Sequence, residues 1–86
     1  MSSKVKVSVL FFGATADAVD EREVKLEFAG NLKAEEVYQE IEKKFPALRK
    51  NFDQNLHFSV NQEYARGDEI IKDGDELAVF TAVSGG

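Results

Sequence analysis

Val5, Val7, Val9 and Phe11 alternate with Lys6, Ser8, Leu10 and Phe12 along the first stretch of the chain. Period-two spacing of β-branched and aromatic residues predicts a strand whose Val5 to Phe11 side faces a core. The opposite side opens polar at Lys6 and Ser8 but closes apolar at Leu10 and Phe12. Gly13 ends the run, and Ala14 to Asp20 reads as a connection with one helical turn after Thr15. Val24, Leu26 and Phe28 then alternate with Glu23, Lys25 and Glu27, which predicts a second strand, close enough in sequence to pair antiparallel with the first.

Ala29-Gly30-Asn31 breaks that pattern, and from Lys33 to Phe45 the period changes. Val37, Ile41 and Phe45 recur every four residues with Tyr38 beside them, the spacing of an amphipathic helix. Glu35 and Glu36 at its start and Lys43 and Lys44 at its end complement the helix dipole, and Glu40 and Lys44 form an i,i+4 pair. Pro46 stops the helix, because the residue before a proline is pushed out of helical geometry. Ala47-Leu48 is expected to turn back onto the core. Leu56, Phe58 and Val60 alternate with His57, Ser59 and Asn61 as a third strand, followed by a turn at Asn61-Gln62. Tyr64-Ala65 is a short edge segment, Arg66-Gly67-Asp68 a turn, and Ile70-Ile71 an apolar anchor. Asp73-Gly74-Asp75 is a tight-turn signal that launches the last strand, Glu76 to Phe80, with Leu77 and Val79 inward and Glu76, Ala78 and Phe80 outward.

Two strands, one helix and further strands form an α+β plan with the helix on one face of one sheet. Placing the first and last strands side by side, central and parallel, is the compact solution, and that arrangement is the ubiquitin-like β-grasp. Residues 1–80 are expected to make this domain and residues 81–86 a flexible tail, since nothing apolar after Val83 would hold it.

Composition narrows what such a domain can do. At 86 residues the chain is one domain, and seven Phe with 43% hydrophobic residues suffice for a small core. Sixteen acidic residues against eleven basic ones give a net charge of −5, and the bases are scattered, which argues against a nucleic-acid surface. An acidic carrier is steered instead towards basic protein partners. No Cys is present, so disulfides and thiolate chemistry are excluded, and the single His57 cannot make a zinc site by itself. Nothing resembles a signal peptide or membrane span, so the expectation is a cytoplasmic protein with no membrane role.

Motifs for catalysis within the domain are weak. Asp73-Gly74-Asp75-Glu76 lacks the ligand run of a calcium loop and is read as a turn. Glu35 and Glu36 are neighbours on a helix and point about 100° apart, a solvated face rather than an acid–base pair. His57 lies on the polar side of a strand with no acid at a fixed spacing. No serine stands in a nucleophile elbow and no glycine-rich phosphate loop exists.

Two features remain. Phe12 and Phe80 end the first and last strands on the side away from the helix, and Tyr64 on the neighbouring edge extends them. Single exposed apolar residues are ordinary, but three aromatic residues converging where the chain leaves the sheet predict a partner interface. The second feature is Val83-Ser84-Gly85-Gly86. Two residues without Cβ can thread a channel too narrow for side chains and present the carboxylate of Gly86 to an activating site that excludes water. The plainer alternative is an incidental Gly-Gly on an interaction module.

Asp73-Gly74-Asp75-Glu76-Leu77-Ala78-Val79-Phe80 with Val83-Ser84-Gly85-Gly86 closely resembles the ending of the small, sulfur-carrying subunits of molybdopterin synthase, the MoaD type. Val9-Leu10-Phe11-Phe12-Gly13 and Val60-Asn61-Gln62-Glu63-Tyr64 are similar to the same family in the same order. The resemblance implies that a ubiquitin-activating-like enzyme uses ATP to adenylate Gly86, and that a persulfide donor converts it to a thiocarboxylate. The tail, including Val83, Ser84 and Gly85, then inserts into the synthase large subunit and delivers sulfur to cyclic pyranopterin monophosphate. It further implies a heterotetramer, hydrophobic contacts at Phe12, Tyr64 and Phe80, and no cofactor bound to this chain. The family commonly carries two prolines before the valine, where this chain has Thr81-Ala82. Without their fixed φ the arm should cost more to order, on the order of 1 kcal/mol per freed residue at most. Two other carriers share the tail logic: the thiamin-pathway sulfur carrier and a protein modifier joined to lysines.

Overall fold

In the computed structural model, the described residues are 4–52 and 56–81. Strand β1, Lys4–Phe11, pairs antiparallel with β2, Glu23–Ala29, in a register that sets Val5, Val7 and Val9 opposite Phe28, Leu26 and Val24. The alternation along both strands therefore places one continuous apolar face against the core. Strand β5, Glu76–Thr81, runs parallel to β1, with Val9 opposite Leu77 and Phe11 opposite Val79. Strand β3, Leu56–Val60, is antiparallel to β5, and β4, Glu63–Tyr64, closes that edge, giving the order β2-β1-β5-β3-β4. Five strands, mixed in direction, with the first and last central and parallel, are what the sequence pattern predicts.

Helix α2, Ala34–Lys44, covers the core face, and Val37 and Ile41 are wholly buried with Val9, Leu77 and Val79. Its first N–H groups find partners in the returning loop: Ala34 N–H donates to Glu69 O at 2.7 Å and Glu35 N–H to Gly67 O at 3.0 Å. The Glu36 carboxylate reaches back to the Lys33 N–H at 2.9 Å, half of a capping box. Glu69 holds that loop closed by accepting from Arg66 N–H at 2.7 Å and Gly67 N–H at 2.8 Å. The Arg66 bond chiefly keeps its carboxyl below the ordinary range.

Several local expectations are corrected. Residues 47–52 form a helix, α3 (Ala47–Phe52), rather than a short turn. Pro46 stops α2 but also starts α3, since its carbonyl accepts Lys50 N–H at 3.1 Å and a proline costs nothing at a helix start. The first connection is likewise a helix, α1 (Ala14–Val19). Glu40 pairs with Lys43 at 3.3 Å rather than with Lys44, an exposed i,i+3 contact worth little. Only Ile71 of the Ile70-Ile71 pair is an anchor, at 1% exposure, while Ile70 is 45% exposed. Strand β5 runs one residue further than expected, with Thr81 opposite Leu56.

The Asp73-Gly74-Asp75 turn is stitched to the sheet by its own carboxylates. Asp73 accepts Lys6 N–H at 2.8 Å, and Gly74, at φ 87°, donates its N–H to Lys6 O at 2.8 Å. Asp75 accepts from Lys72 N–H and from the Asn61 side-chain amide, and Asn61 Oδ1 accepts Glu76 N–H at 2.9 Å. Asn61 itself sits at φ 51°, a conformation asparagine tolerates. The Tyr38 ring packs 3.8 Å from Phe58, and burial, reinforced by the Glu42 carboxylate, pushes its hydroxyl up to about 12. Among the described residues no helix is long and apolar enough to cross a membrane.

Candidate partner-binding site

The solvent side of the sheet is built in two rows. In the first, Ser59 of β3 lies opposite Tyr64 of β4 and opposite Ala78 of β5, which lies opposite Leu10 of β1. Ala78 and Ser59 point away from α2, yet they are 9% and 8% exposed. Small side chains between larger neighbours are sheltered even on an outer face, which strand parity alone does not reveal. In the second row, His57 lies opposite Phe80, and Phe12 follows the last β1–β5 rung.

Three rings meet over these rows. The Tyr64 and Phe80 centroids are 5.8 Å apart and tilted, and His57 stacks near-parallel to Phe80 at 6.1 Å. Tyr64 is 76% exposed and Phe80 half-buried, so the cluster offers an amphipathic surface rather than a closed core. Phe12 is 51% exposed and reaches the same region through its backbone, with its N–H 3.1 Å from Val79 O. No described ring pair includes it. Phe12 lines an open hollow with Leu10, Ala16 and Arg22. Tyr64 and Phe80 are thus brought together, and Phe12 flanks them across β5.

Sequence reasoning leaves His57 on a polar face, and its stacking on Phe80 depends on the β3–β5 register. Nor does the sequence mark Thr15, wholly buried at the point where β1 leaves the sheet. Gly13, at φ 58° and ψ −126°, takes a conformation open only to glycine and folds α1 back so that Thr15 faces the end of β5. Val83, Ser84, Gly85 and Gly86 lie outside the described residues, as does the expectation that the tail is mobile. The last described residue, Thr81, directly follows Phe80, so the described part of β5 ends beside the ring cluster.

A mixed five-stranded sheet with parallel central β1 and β5, covered on one face by α2, defines a ubiquitin-like β-grasp protein. The crystal structure of SAMP1 from Haloferax volcanii superposes with a TM-score of 0.81 at 26% identity, over 94% of this chain and 99% of that one. A chain in the protein–protein complex of subunits 1 and 2 of molybdopterin-converting factor from Helicobacter pylori shares the fold, with a TM-score of 0.68 at 22% identity, covering 95% of this chain and 100% of that one. The chain belongs to the ThiS family, which matches residues 9–86. A molybdopterin synthase sulfur carrier subunit from Mycobacterium tuberculosis is 36% identical over 84 residues, 95% of this chain and 99% of the relative.

Proposed function

We propose that this chain is a sulfur carrier subunit of molybdopterin synthase, inactive on its own and working through its carboxyl terminus. The observation that carries the reading is where the last described residue of β5 stands. A strand fixed in the middle of the sheet delivers Thr81 beside the half-buried Phe80 and the exposed Tyr64, so a partner gripping the rings receives the tail at once. The near-full-length match to a sulfur carrier subunit supports it, and the family match extends to Gly86.

An adenylating partner activates the Gly86 carboxylate: a carboxylate oxygen attacks the α-phosphorus of ATP, pyrophosphate leaves, and a poor electrophile becomes an acyl adenylate. The terminal sulfur of a persulfide donor then attacks that acyl carbon and displaces AMP to give an acyl disulfide. A thiol acting as reductant cleaves the S–S bond, leaving the thiocarboxylate on Gly86 and a disulfide on the donor side. ATP belongs to that partner, and this chain holds no cofactor. The tail enters the synthase large subunit and gives its sulfur to cyclic pyranopterin monophosphate, in a heterotetramer with two small subunits outside a large-subunit dimer. Phe12, Tyr64 and Phe80 form the grip, and Val83, Ser84 and Gly85 the arm.

Intact-mass measurement after incubation with ATP, an activating enzyme and a sulfur donor tests the chemistry. Exchange of one oxygen for sulfur, absent when Gly86 is deleted, is the expected result. Identical behaviour of the two chains would overturn it. The likeness to SAMP1, a small archaeal modifier protein, motivates a second reading, in which the same adenylate ends on a lysine amine. A new isopeptide-linked species in place of the thiocarboxylate would favour it.

A further inference from the structure

The end of β1, the end of β5 and the first turn of α1 converge on one oxygen atom. Thr15 Oγ1 accepts Phe12 N–H at 3.0 Å and lies 2.7 Å from Phe12 O and 2.9 Å from Val79 O, with its single proton shared between those carbonyls. Thr15 N–H donates in turn to Phe12 O at 3.2 Å. The side chain is 0% exposed, so these bonds form away from water and hold a fixed geometry. The regular β1–β5 ladder ends at Phe11 and Val79, because Gly13 diverts the chain. The Thr15 hydroxyl reinforces the last backbone rung, Phe12 N–H to Val79 O at 3.1 Å, by bonding both of its atoms.

What that rung fixes is the root of the candidate grip. Phe12 is bonded directly, and Val79 immediately precedes Phe80, so one hydroxyl sets the backbones from which two of the three proposed contact rings project. Packing does not require it: valine has nearly the same shape and would fill the same space. Both carbonyls would also keep a second donor, Phe12 O from Thr15 N–H and Val79 O from Phe12 N–H. The sheet should survive loss of the hydroxyl, while the angle between the Phe12 and Phe80 segments loosens.

We infer that Thr15 is a positioning residue for partner recognition, holding Phe12 and the Phe80 root as one preorganised surface. The inference rests on the carrier reading above. Preorganisation lowers the ordering cost of binding, so its loss should weaken association and leave the chemical step alone.

The test uses the full chain with its activating enzyme and ATP, measuring kcat and KM for thiocarboxylate formation, and with the large subunit, measuring Kd. Thr15→Val should raise KM and Kd about fivefold, the equivalent of one net hydrogen bond, with little change in kcat. Thr15→Ser, which restores the hydroxyl, should recover most of the loss. In a Phe12→Ala background Thr15→Val should have a clearly smaller further effect, because one of the two rings whose relative placement it sets is gone. Thr15→Ala, which opens space rather than filling it, is the second probe should the valine variant not fold. Wild-type KM and Kd in a folded Thr15→Val or Thr15→Ala chain would overturn the inference, as would a loss that simply adds to that of Phe12→Ala. If the wild-type chain itself neither acquires sulfur nor binds the large subunit, the carrier reading falls and takes this inference with it.

Discussion

Replacing Phe80 by alanine separates grip from core. Phe80 lies on the face away from α2, half-buried, with its ring 5.8 Å from Tyr64 and 6.1 Å from His57. A fully buried Phe→Ala change costs about 3 to 5 kcal/mol, largely through the cavity it leaves. Here the ring borders solvent, so no closed cavity forms and the cost is that of the covered apolar area without the cavity contribution. At about 25 cal/mol per Å2, roughly 100 Å2 of covered ring corresponds to about 2 to 3 kcal/mol, and the weakened Tyr64 contact is already within that range. A central interface aromatic, by contrast, typically costs 2 kcal/mol or more in binding when truncated. Urea unfolding of the free chain should therefore show a loss of about 2 to 3 kcal/mol with unchanged m-value. Titration calorimetry against the large subunit should show affinity falling at least about thirtyfold. A folding loss above about 3 kcal/mol would place Phe80 in the core, and unchanged affinity would remove it from the grip.

Ile41→Ala, in the wholly buried stripe of α2, should cost about 3 to 4 kcal/mol in urea unfolding; a loss below about 1 kcal/mol would mean that α2 does not cover the core. Gly74→Ala meets nothing within 4 Å, so its cost is backbone strain at φ 87° alone, about 1 kcal/mol and visible as a shifted urea midpoint without altered activity. Tyr38 ionises at about 12 in the folded chain against about 10 unfolded. Its contribution is fully present below about pH 10 and lost as pH rises through about 12. Urea midpoints should thus fall more steeply over that window for wild type than for Tyr38→Phe, and equal slopes would contradict the assignment.

The elements that carry a clean period are legible in the amino-acid pattern alone. Val5 to Phe11, Val24 to Phe28 and the Val37–Ile41–Phe45 stripe each announce their own geometry, and the tight turn at Gly74 marks the start of β5. Pro46 is ambiguous because a proline that ends one helix can begin another, and only the path of the following residues decides. The burial of Ser59 and Ala78 depends on Tyr64 and Leu10, neighbours brought from distant segments by β3–β5 and β1–β5 pairing. Thr15 is hidden for the same reason: its partners Phe12 and Val79 are 3 and 64 positions away, and they meet only because Gly13 reverses the chain. At the candidate site, strand parity puts Phe12, Tyr64 and Phe80 on one side of the sheet. It does not reveal that Phe80 pairs with Tyr64 and His57 while Phe12 flanks them.

In the proposed function, Gly86 carries the sulfur and the β-grasp domain brings it to the large subunit. The most direct test is a single-turnover transfer with isotopically labelled sulfur on Gly86, the large subunit and cyclic pyranopterin monophosphate, following the label by mass spectrometry. The label should leave Gly86, the chain should return to its unmodified carboxylate, and the label should appear in the pterin dithiolene. Label that stays on Gly86 with the complete complex present, or a chain that ends joined to lysine, would contradict it.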